Sequence, residues 1–243
     1  MIQKDEKFKA AQERIQDFDF GSETAKVFDD MLDRSVPFYA EIQRMIGEIA
    51  RDFAVPDSNL YDLGCSTGTT LIHLDERIES SIRLVGIDAS PEMLDKAREK
   101  CSAKPTRHPV TFIEANLEDD LPIENASIVI LNLTLQFVRP IYRDRLLASI
   151  ARGTRAGGCL ILVEKVLSEH SALNRLFIKN YYDFKRRNGY SDMEISQKRE
   201  ALENILVPYH ESENRELLIR NGFKIVESFF RWYNFSGLIA IRN

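Results

Sequence analysis

The stretch Asn59-Leu-Tyr-Asp-Leu-Gly-Cys-Ser-Thr-Gly-Thr-Thr70 carries the densest potential chemistry in the chain. Within it, Gly64-Cys65-Ser66-Thr67-Gly68 has the letters G-x-S-x-G, in which a serine on a sharp strand-to-helix turn acts as nucleophile. That role requires an acid and then a histidine further along, close enough to take the Ser66 proton. The histidines are His73, His108, His170 and His210. His73 falls in the expected helix after the loop, and His108 precedes a strand at the wrong edge of a sheet. Only His170 and His210, both in a later helical segment, are left as partners, and neither clearly supplies the geometry of a triad.

The same letters also read as a glycine-rich nucleotide loop with Ser66 where a second glycine is usual. This reading has better partners. Asp62 lies just before Gly64, Asp88 ends the next expected strand, and Asn116 follows the one after it. All three land at the carboxyl edge of adjacent strands, where open α/β sheets bind ligands. Taken singly, each is more simply a helix cap or a solvated turn. Together, the Asp88 carboxylate suits a ribose diol, the Asn116 amide oxygen an exocyclic adenine amine, and the Leu117 N–H a ring nitrogen. A dinucleotide fingerprint fails at Ser66 and Thr69, and a phosphate loop lacks its lysine. An acid at Asp62 with no cation in the loop fits a nucleoside that carries an amino group, and S-adenosylmethionine (SAM) meets that description.

The elements that must hold these residues alternate short apolar runs with helical stretches, the pattern of a parallel sheet covered by helices. Strands are expected at Leu60–Leu63, Arg83–Asp88, Val110–Glu114, Ser127–Asn132 and Leu160–Lys165, then at Lys224–Tyr233 and Leu238–Arg242. The last two are joined only by Asn234-Phe-Ser-Gly237, too short for a crossover, so the final strand runs antiparallel to its neighbour. Ahead of the sheet, Phe38, Ile42, Met45, Ile46, Ile49 and Phe53 mark one face of a covering helix. Ser90-Pro91-Glu92 is a helix start, with a serine cap and proline in the first turn. A mostly helical segment over about 166–210 is far longer than the usual αβ connection of about 2–6 residues. The domain reading is therefore one unit over 1–243, with an N-terminal helical cover over 1–56 and an insertion serving as lid and dimer contact.

At 243 residues with 44% hydrophobic and 29% charged composition, the chain is long and apolar enough to bury its own core. Its N-terminus is too charged for a signal peptide, and no apolar run approaches the roughly 20 residues that span a bilayer. A cytoplasmic protein is expected. Cys65, Cys101 and Cys159 are odd in number with no C-x-x-C spacing, which suggests neither a disulfide framework nor a metal site. The net charge of -5 argues against a broad nucleic-acid-binding face.

Asp62-x-Gly64-Cys65-Ser66-Thr67-Gly68, the acid at Asp88 and the closing antiparallel hairpin resemble class I SAM-dependent methyltransferases. The usual D/E-x-G-x-G-x-G is changed at Ser66. The resemblance implies a Rossmann-like α/β fold with a seven-stranded, mostly parallel sheet, an antiparallel last strand and a helical insertion before the final hairpin. Motifs for ordinary acceptors are missing: Asn132-Leu-Thr-Leu-Gln-Phe137 stands where amine methylation would place Asn/Asp-Pro-Pro-Tyr/Phe, and Cys159 is not followed or preceded as an attacking thiol would be. Cys159 reads as core.

Arg34-Ser-Val-Pro-Phe-Tyr39, Asn132–Phe137, Asp183-Phe-Lys-Arg-Arg-Asn-Gly-Tyr-Ser191 and Glu194–Asn204 are similar to the carboxy-S-adenosylmethionine synthase family across nearly the whole chain. The resemblance implies that SAM is a substrate whose methyl carbon is carboxylated, with prephenate as carboxyl donor and phenylpyruvate as the other product. The carboxymethyl group is then moved by another enzyme to a tRNA wobble uridine. It further implies contacts to SAM from Tyr39, Gly64, Cys65, Ser66, Asp88, Ala89, Asn116, Leu117 and Asn132. Arg199 would reach in from the second subunit of a homodimer to grip the new carboxylate; no general base is implied. Without the resemblance, Lys198-Arg199 reads as a solvated helix face. Two other readings remain at this point, a small-molecule methyltransferase and a non-catalytic SAM-binding module.

Overall fold

A computed structural model describes residues 3–12 and 14–243. Five strands, β1 (Asn59–Leu63), β2 (Arg83–Asp88), β3 (Val110–Glu114), β4 (Ala126–Asn132) and β5 (Thr154–Leu167), run parallel. β7 (Phe223–Trp232) and β8 (Phe235–Arg242) form the closing hairpin, and β8 is antiparallel to both β5 and β7. The order across the sheet is β3-β2-β1-β4-β5-β8-β7, with the short β6 (Tyr209–His210) added against the end of β5. This is the expected seven-stranded arrangement plus a two-residue strand, too short to carry a periodic signal in the sequence.

Alternation along the strands sorts side chains to two faces. Tyr61, Leu63, Val129 and Leu131 pack under α5 (Pro140–Gly153) and α8 (Glu211–Arg220) through Leu146, Leu147, Leu217 and Leu218. Leu60, Ile128, Ile130, Ile161 and Val163 pack on the other side against α2 (Tyr39–Phe53), α3 (Thr69–Arg77), α4 (Pro91–Ala103) and α6 (Ser171–Arg187). β4 is buried along nearly its whole length, which is why its sequence is an unbroken apolar run. Cys159 is fully buried in this second layer, as a core residue.

The helical cover differs from expectation in two places. Helix begins only with α1 (Ser22–Ser35); the described residues before it form an irregular strap. Phe38 is not part of the covering face of α2 but precedes the helix at φ 56° and is 57% exposed. Ile42, Ile46 and Ala50, all fully buried, form the centre of the seal to the sheet, with Ile49 and Phe53 packed beside them.

The strap is stitched to α7 (Asp192–Leu202) of the insertion. Gln12 N–H donates to Gln197 Oε1 (2.8 Å), and Gln197 Nε2 donates to the Phe8 and Ala10 carbonyls (both 2.9 Å). Phe18 N–H donates to the Ala201 carbonyl (2.8 Å), and Ser90 Oγ, the cap of α4, donates to Phe20 O (2.8 Å). Phe8, Phe18, Phe28, Met31, Met93 and Ala201 form a separate apolar cluster beneath these ties. Sequence periodicity alone cannot place such a strap, because its partners lie almost a full chain length away.

Candidate active site

The loop after β1 is fixed by the end of β2. Gly64 and Cys65 N–H both donate to the Ile87 carbonyl (2.7 and 3.0 Å). Ser66 N–H donates to Asp88 Oδ2 (2.8 Å), while Ser90 N–H occupies Asp88 Oδ1 (2.9 Å). Gly64 has φ +74°, and a Cβ there would lie 2.4 Å from Thr134 Cγ2, so both conformation and space demand glycine. Ser66 adopts φ 48°, a left-handed value at the position where glycine is usual. The loop's outer wall is held by Asp29 of α1, which accepts from Thr67 Oγ1 (2.7 Å) and pairs with Lys100 (2.5 Å).

Above this loop lies a cavity of about 300 Å³. From the loop it is lined by Gly64, Cys65 and Ser66, and from the strand ends by Asp62, Asp88, Ala89, Asn116, Leu117 and Asn132. Tyr39 closes it from the start of α2, and Phe18 and Phe20 from the strap. Phe20 packs edge-on against Phe137 at 5.3 Å, so aromatic carbon shields the opening. The structure thus brings together every sequence-expected site residue except Arg199, which is exposed on α7 outside this cavity.

Two acceptors in the cavity wall are unusual. Asp62 is 2% exposed, and its Oδ2 has no hydrogen-bond partner among the described residues. Burial, with the nearby Asp88 charge adding, pushes its carboxyl up to about 7. Asn132 Oδ1 is likewise buried without a partner. Buried polar atoms are rarely left unsatisfied, and two converging on one cavity mark where a ligand supplies the missing donors. A ligand carrying an ammonium could donate to one, and the charge and polarised C–H groups of a sulfonium would attract the other. Asp88 is also raised by burial, opposed by the backbone N–H groups of Ser90, Ser66 and Ala89. Asn116 Oδ1 already accepts from Glu118 N–H (2.9 Å), which leaves its second lone pair for a ligand.

Hydrolase chemistry finds no support in this geometry. Ser66 Oγ makes only a long contact with Gly64 O (3.4 Å), and no histidine lines the cavity among the described residues. His108 is a structural residue in the loop before β3, its Nδ1 on Asp75 Oδ1 of α3 (3.0 Å) and its Nε2 on Ser80 O (3.1 Å). Among the described residues no group of His, Cys, Asp and Glu is placed to hold a metal ion, and no helix is long and apolar enough to cross a membrane.

Sequence reasoning missed two lysines. Lys198 is not a solvated neighbour of Arg199: it is 6% exposed, lines the cavity, and its Nζ has no hydrogen-bond partner among the described residues. The signal was present in the Ser191–Glu194 capping box, which fixes the start of α7 and puts Ile195, Lys198 and Ala201 on its buried side. Lys165, at the end of β5, also lines the cavity, 4.6 Å from the Tyr181 ring. Burial lowers both ammonium groups to about 8, and Lys185 behind them falls to about 6 through burial and the charges of the other two. Lys165 is held in place from below: its N–H donates to Gln136 Oε1 (3.1 Å), and buried Glu164 accepts from Leu135 and Gln136 N–H (2.9 and 2.8 Å).

Comparison with known proteins agrees with this geometry. Residues 60–158 match a methyltransferase domain family. Among solved structures, an O-methyltransferase family protein from Burkholderia thailandensis superposes with a TM-score of 0.65 at 18% identity, over 95% of this chain and 65% of that one. The YcgJ protein of Bacillus subtilis does so at 0.61 and 15% identity, over 80% and 72%. Those likenesses establish the fold. The carboxy-S-adenosyl-L-methionine synthase of Methylococcus capsulatus is 54% identical over 99% of this chain and 100% of its own length. The protein of the same name from Desulfotalea psychrophila is 46% identical over 93% of both chains. With the loop, the strand-end acceptors and the insertion all inside that full-length match, the chain belongs to the carboxy-S-adenosyl-L-methionine synthase family.

Proposed function

We propose that this enzyme carboxylates the methyl carbon of SAM, using prephenate as carboxyl donor and releasing phenylpyruvate. The observation that carries the reading is the pair of buried, unpaired oxygens, Asp62 Oδ2 and Asn132 Oδ1, in the wall of one cavity. Gly64, Cys65, Ser66 and Tyr39 would hold the amino-acid end of SAM, Asp88 and Ala89 its ribose, and Asn116 and Leu117 its adenine. Asn132 would face the sulfonium. That sulfonium acidifies its methyl group; loss of a proton leaves an ylide carbon able to capture carbon dioxide. Prephenate supplies the carbon dioxide as its ring becomes aromatic, and the hydroxide that it expels balances the methyl proton as water. The apolar cover of Phe18, Phe20 and Phe137 keeps bulk water from quenching the ylide.

The product carries a new carboxylate, and in this reading the partner subunit's Arg199 grips it through two parallel bonds. Supporting this, Arg199 is exposed in its own chain, and Leu173, Leu176 and Met193 of the same insertion expose apolar surface as well. A homodimer joined through 166–210 follows. The product's use as carboxymethyl donor for tRNA wobble uridine belongs to a separate enzyme, in keeping with the net charge of -5 and a cytoplasmic site of action.

The test is mass spectrometry of the ligand released from gently unfolded protein. A species heavier than SAM by one carbon dioxide is expected. Plain SAM or S-adenosylhomocysteine, together with no new species from added prephenate, overturns the reading.

A further inference from the structure

The carboxyl edge of the sheet presents its polar groups as a staircase. Leu60, Ile128, Ile130, Ile161 and Val163 share one face, and the two-residue period of a strand sets Asp62, Asn132 and Lys165 on the same face. Asp62 pairs with Ile130, two residues before Asn132; Asn132 pairs with Val163, two residues before Lys165. At about 3.3 Å per residue, each step rises about 7 Å. One wall of the cavity therefore runs from an unpaired carboxylate oxygen, through an unpaired amide oxygen, to an ammonium group.

At the top of this staircase positive charge is in excess. Lys165 and Lys198 line the cavity and Lys185 lies behind them. Among the described residues the one acid within ion-pair distance of Lys198 is Asp5, whose Oδ2 stands 3.6 Å from Nζ and is already bonded to the Tyr190 hydroxyl (2.6 Å). Glu194 is tied into the Ser191 cap, and Arg34, over the Tyr190 ring, is already paired with Asp30 (3.2 Å). Lys165 and Lys185 have no acid within ion-pair distance among the described residues, and buried charges without counter-ions are strongly disfavoured, so this corner suits an anion that arrives from outside. Tyr181 and Phe235, 5.3 Å apart, give the same corner an aromatic wall.

We propose that Lys165 and Lys198 bind the carboxyl donor, and that they hold the carboxylate the donor keeps rather than the one it gives up. This deepens the functional reading above and rests on it. The staircase places Lys165 one step beyond Asn132, and Lys198 of α7 lines the same cavity, so with Asn132 facing the sulfonium the two lysines fall on the side open to a second substrate. The choice between the donor's two carboxylates follows from the reaction. A cation on the departing carboxylate stabilises charge that disappears as the C–C bond breaks, which raises the barrier. A cation on the keto-acid carboxylate anchors the donor without opposing that loss. The retained carboxylate leaves in phenylpyruvate, so the product must bind the same two lysines.

The experiment is calorimetry of phenylpyruvate, together with initial rates against prephenate, on wild type, Lys165→Met, Lys198→Met and Lys198→Arg. Phenylpyruvate is expected to bind wild type, and each methionine variant to raise both its Kd and the KM for prephenate by about tenfold or more. SAM affinity should hold throughout, the thermal midpoint should hold in Lys165→Met and Lys198→Arg, and Lys198→Arg should recover part of the loss. Failure of wild type to bind phenylpyruvate, or unchanged Kd and KM in Lys198→Met, overturns the inference. So does a proportional loss of SAM binding, which would mark the lysines as structural. Absence of any prephenate turnover by wild type would instead remove the functional reading beneath it. Lys198→Met keeps the side chain's length but leaves buried Asp5 without the cation 3.6 Å away. Lys198→Arg, which keeps that charge, and Lys165→Met, which breaks no ion pair among the described residues, therefore separate loss of anion binding from loss of fold.

Discussion

At the scale of single residues, Asp62 stores binding energy as discomfort. In the free protein burial keeps its carboxyl protonated up to about pH 7, whereas in an unfolded chain it loses the proton near pH 4. The folded state therefore holds an extra proton between those values. Stability from this group is present below about pH 4 and is lost as pH rises to about 7. An ammonium ligand reverses the preference, so SAM affinity should fall by up to about tenfold per unit below pH 7 and level off above it. Asp88, raised in the same direction, acts with the same sign. Calorimetry between pH 5.5 and 8.5 should record this slope, and Asp62→Asn should flatten it, weaken SAM and stabilise the free protein at pH 8 by roughly 1–3 kcal/mol. A second residue-scale expectation concerns Gly64→Ala. It would force a side chain into Thr134 at positive φ, and should lower stability by roughly 1–3 kcal/mol in urea unfolding while abolishing SAM binding.

At the scale of elements, Ser90 does two jobs with one hydroxyl. Its Oγ accepts from Met93 N–H (3.1 Å), capping α4, and donates to Phe20 O, anchoring the strap. Ser90→Ala should remove about 1 kcal/mol from stability by denaturant titration, and should also speed ligand dissociation, because the cap and the cover share the atom. The sequence declared that cap openly, through Ser90-Pro91-Glu92, as it declared β2 and β3 to the residue. Those signals are local: a capping side chain, a proline, a short apolar run. Asp62, Asp88, Asn116 and Asn132 were legible for a related reason, since strand ends locate the carboxyl edge. Lys198 was not, because burial of a lysine depends on what packs over its helix, and here that is a strap from the far end of the chain. Phe38 misled in the opposite direction: its apolar type fits the periodicity of α2, but the left-handed turn before the helix turns it outward.

At the scale of the whole molecule, exposure of Arg199 in its own chain makes a sharp expectation about assembly. Neither Arg199→Ala nor Asp62→Asn should form phenylpyruvate from prephenate at an appreciable rate. Co-expressed and purified as mixed dimers, they should regain activity, because the Arg199→Ala subunit keeps Asp62 and receives an intact arginine from its partner. No recovery in the mixed dimer would place Arg199 in its own subunit's site and remove the dimeric reading. The strap has a different kind of consequence. Gln12 and Gln197, like Asp5 and Tyr190, are joined across 185 positions. A ribosome adding about 5–20 residues per second makes the first member of each pair roughly 10–40 seconds before the second. During that interval Phe8, Phe18 and Phe28 have no finished surface to cover, and the nascent chain must rely on solubility or a chaperone to shield them. Ligand binding is thus deferred until translation is nearly over, and the newborn enzyme is silent until its last quarter has emerged.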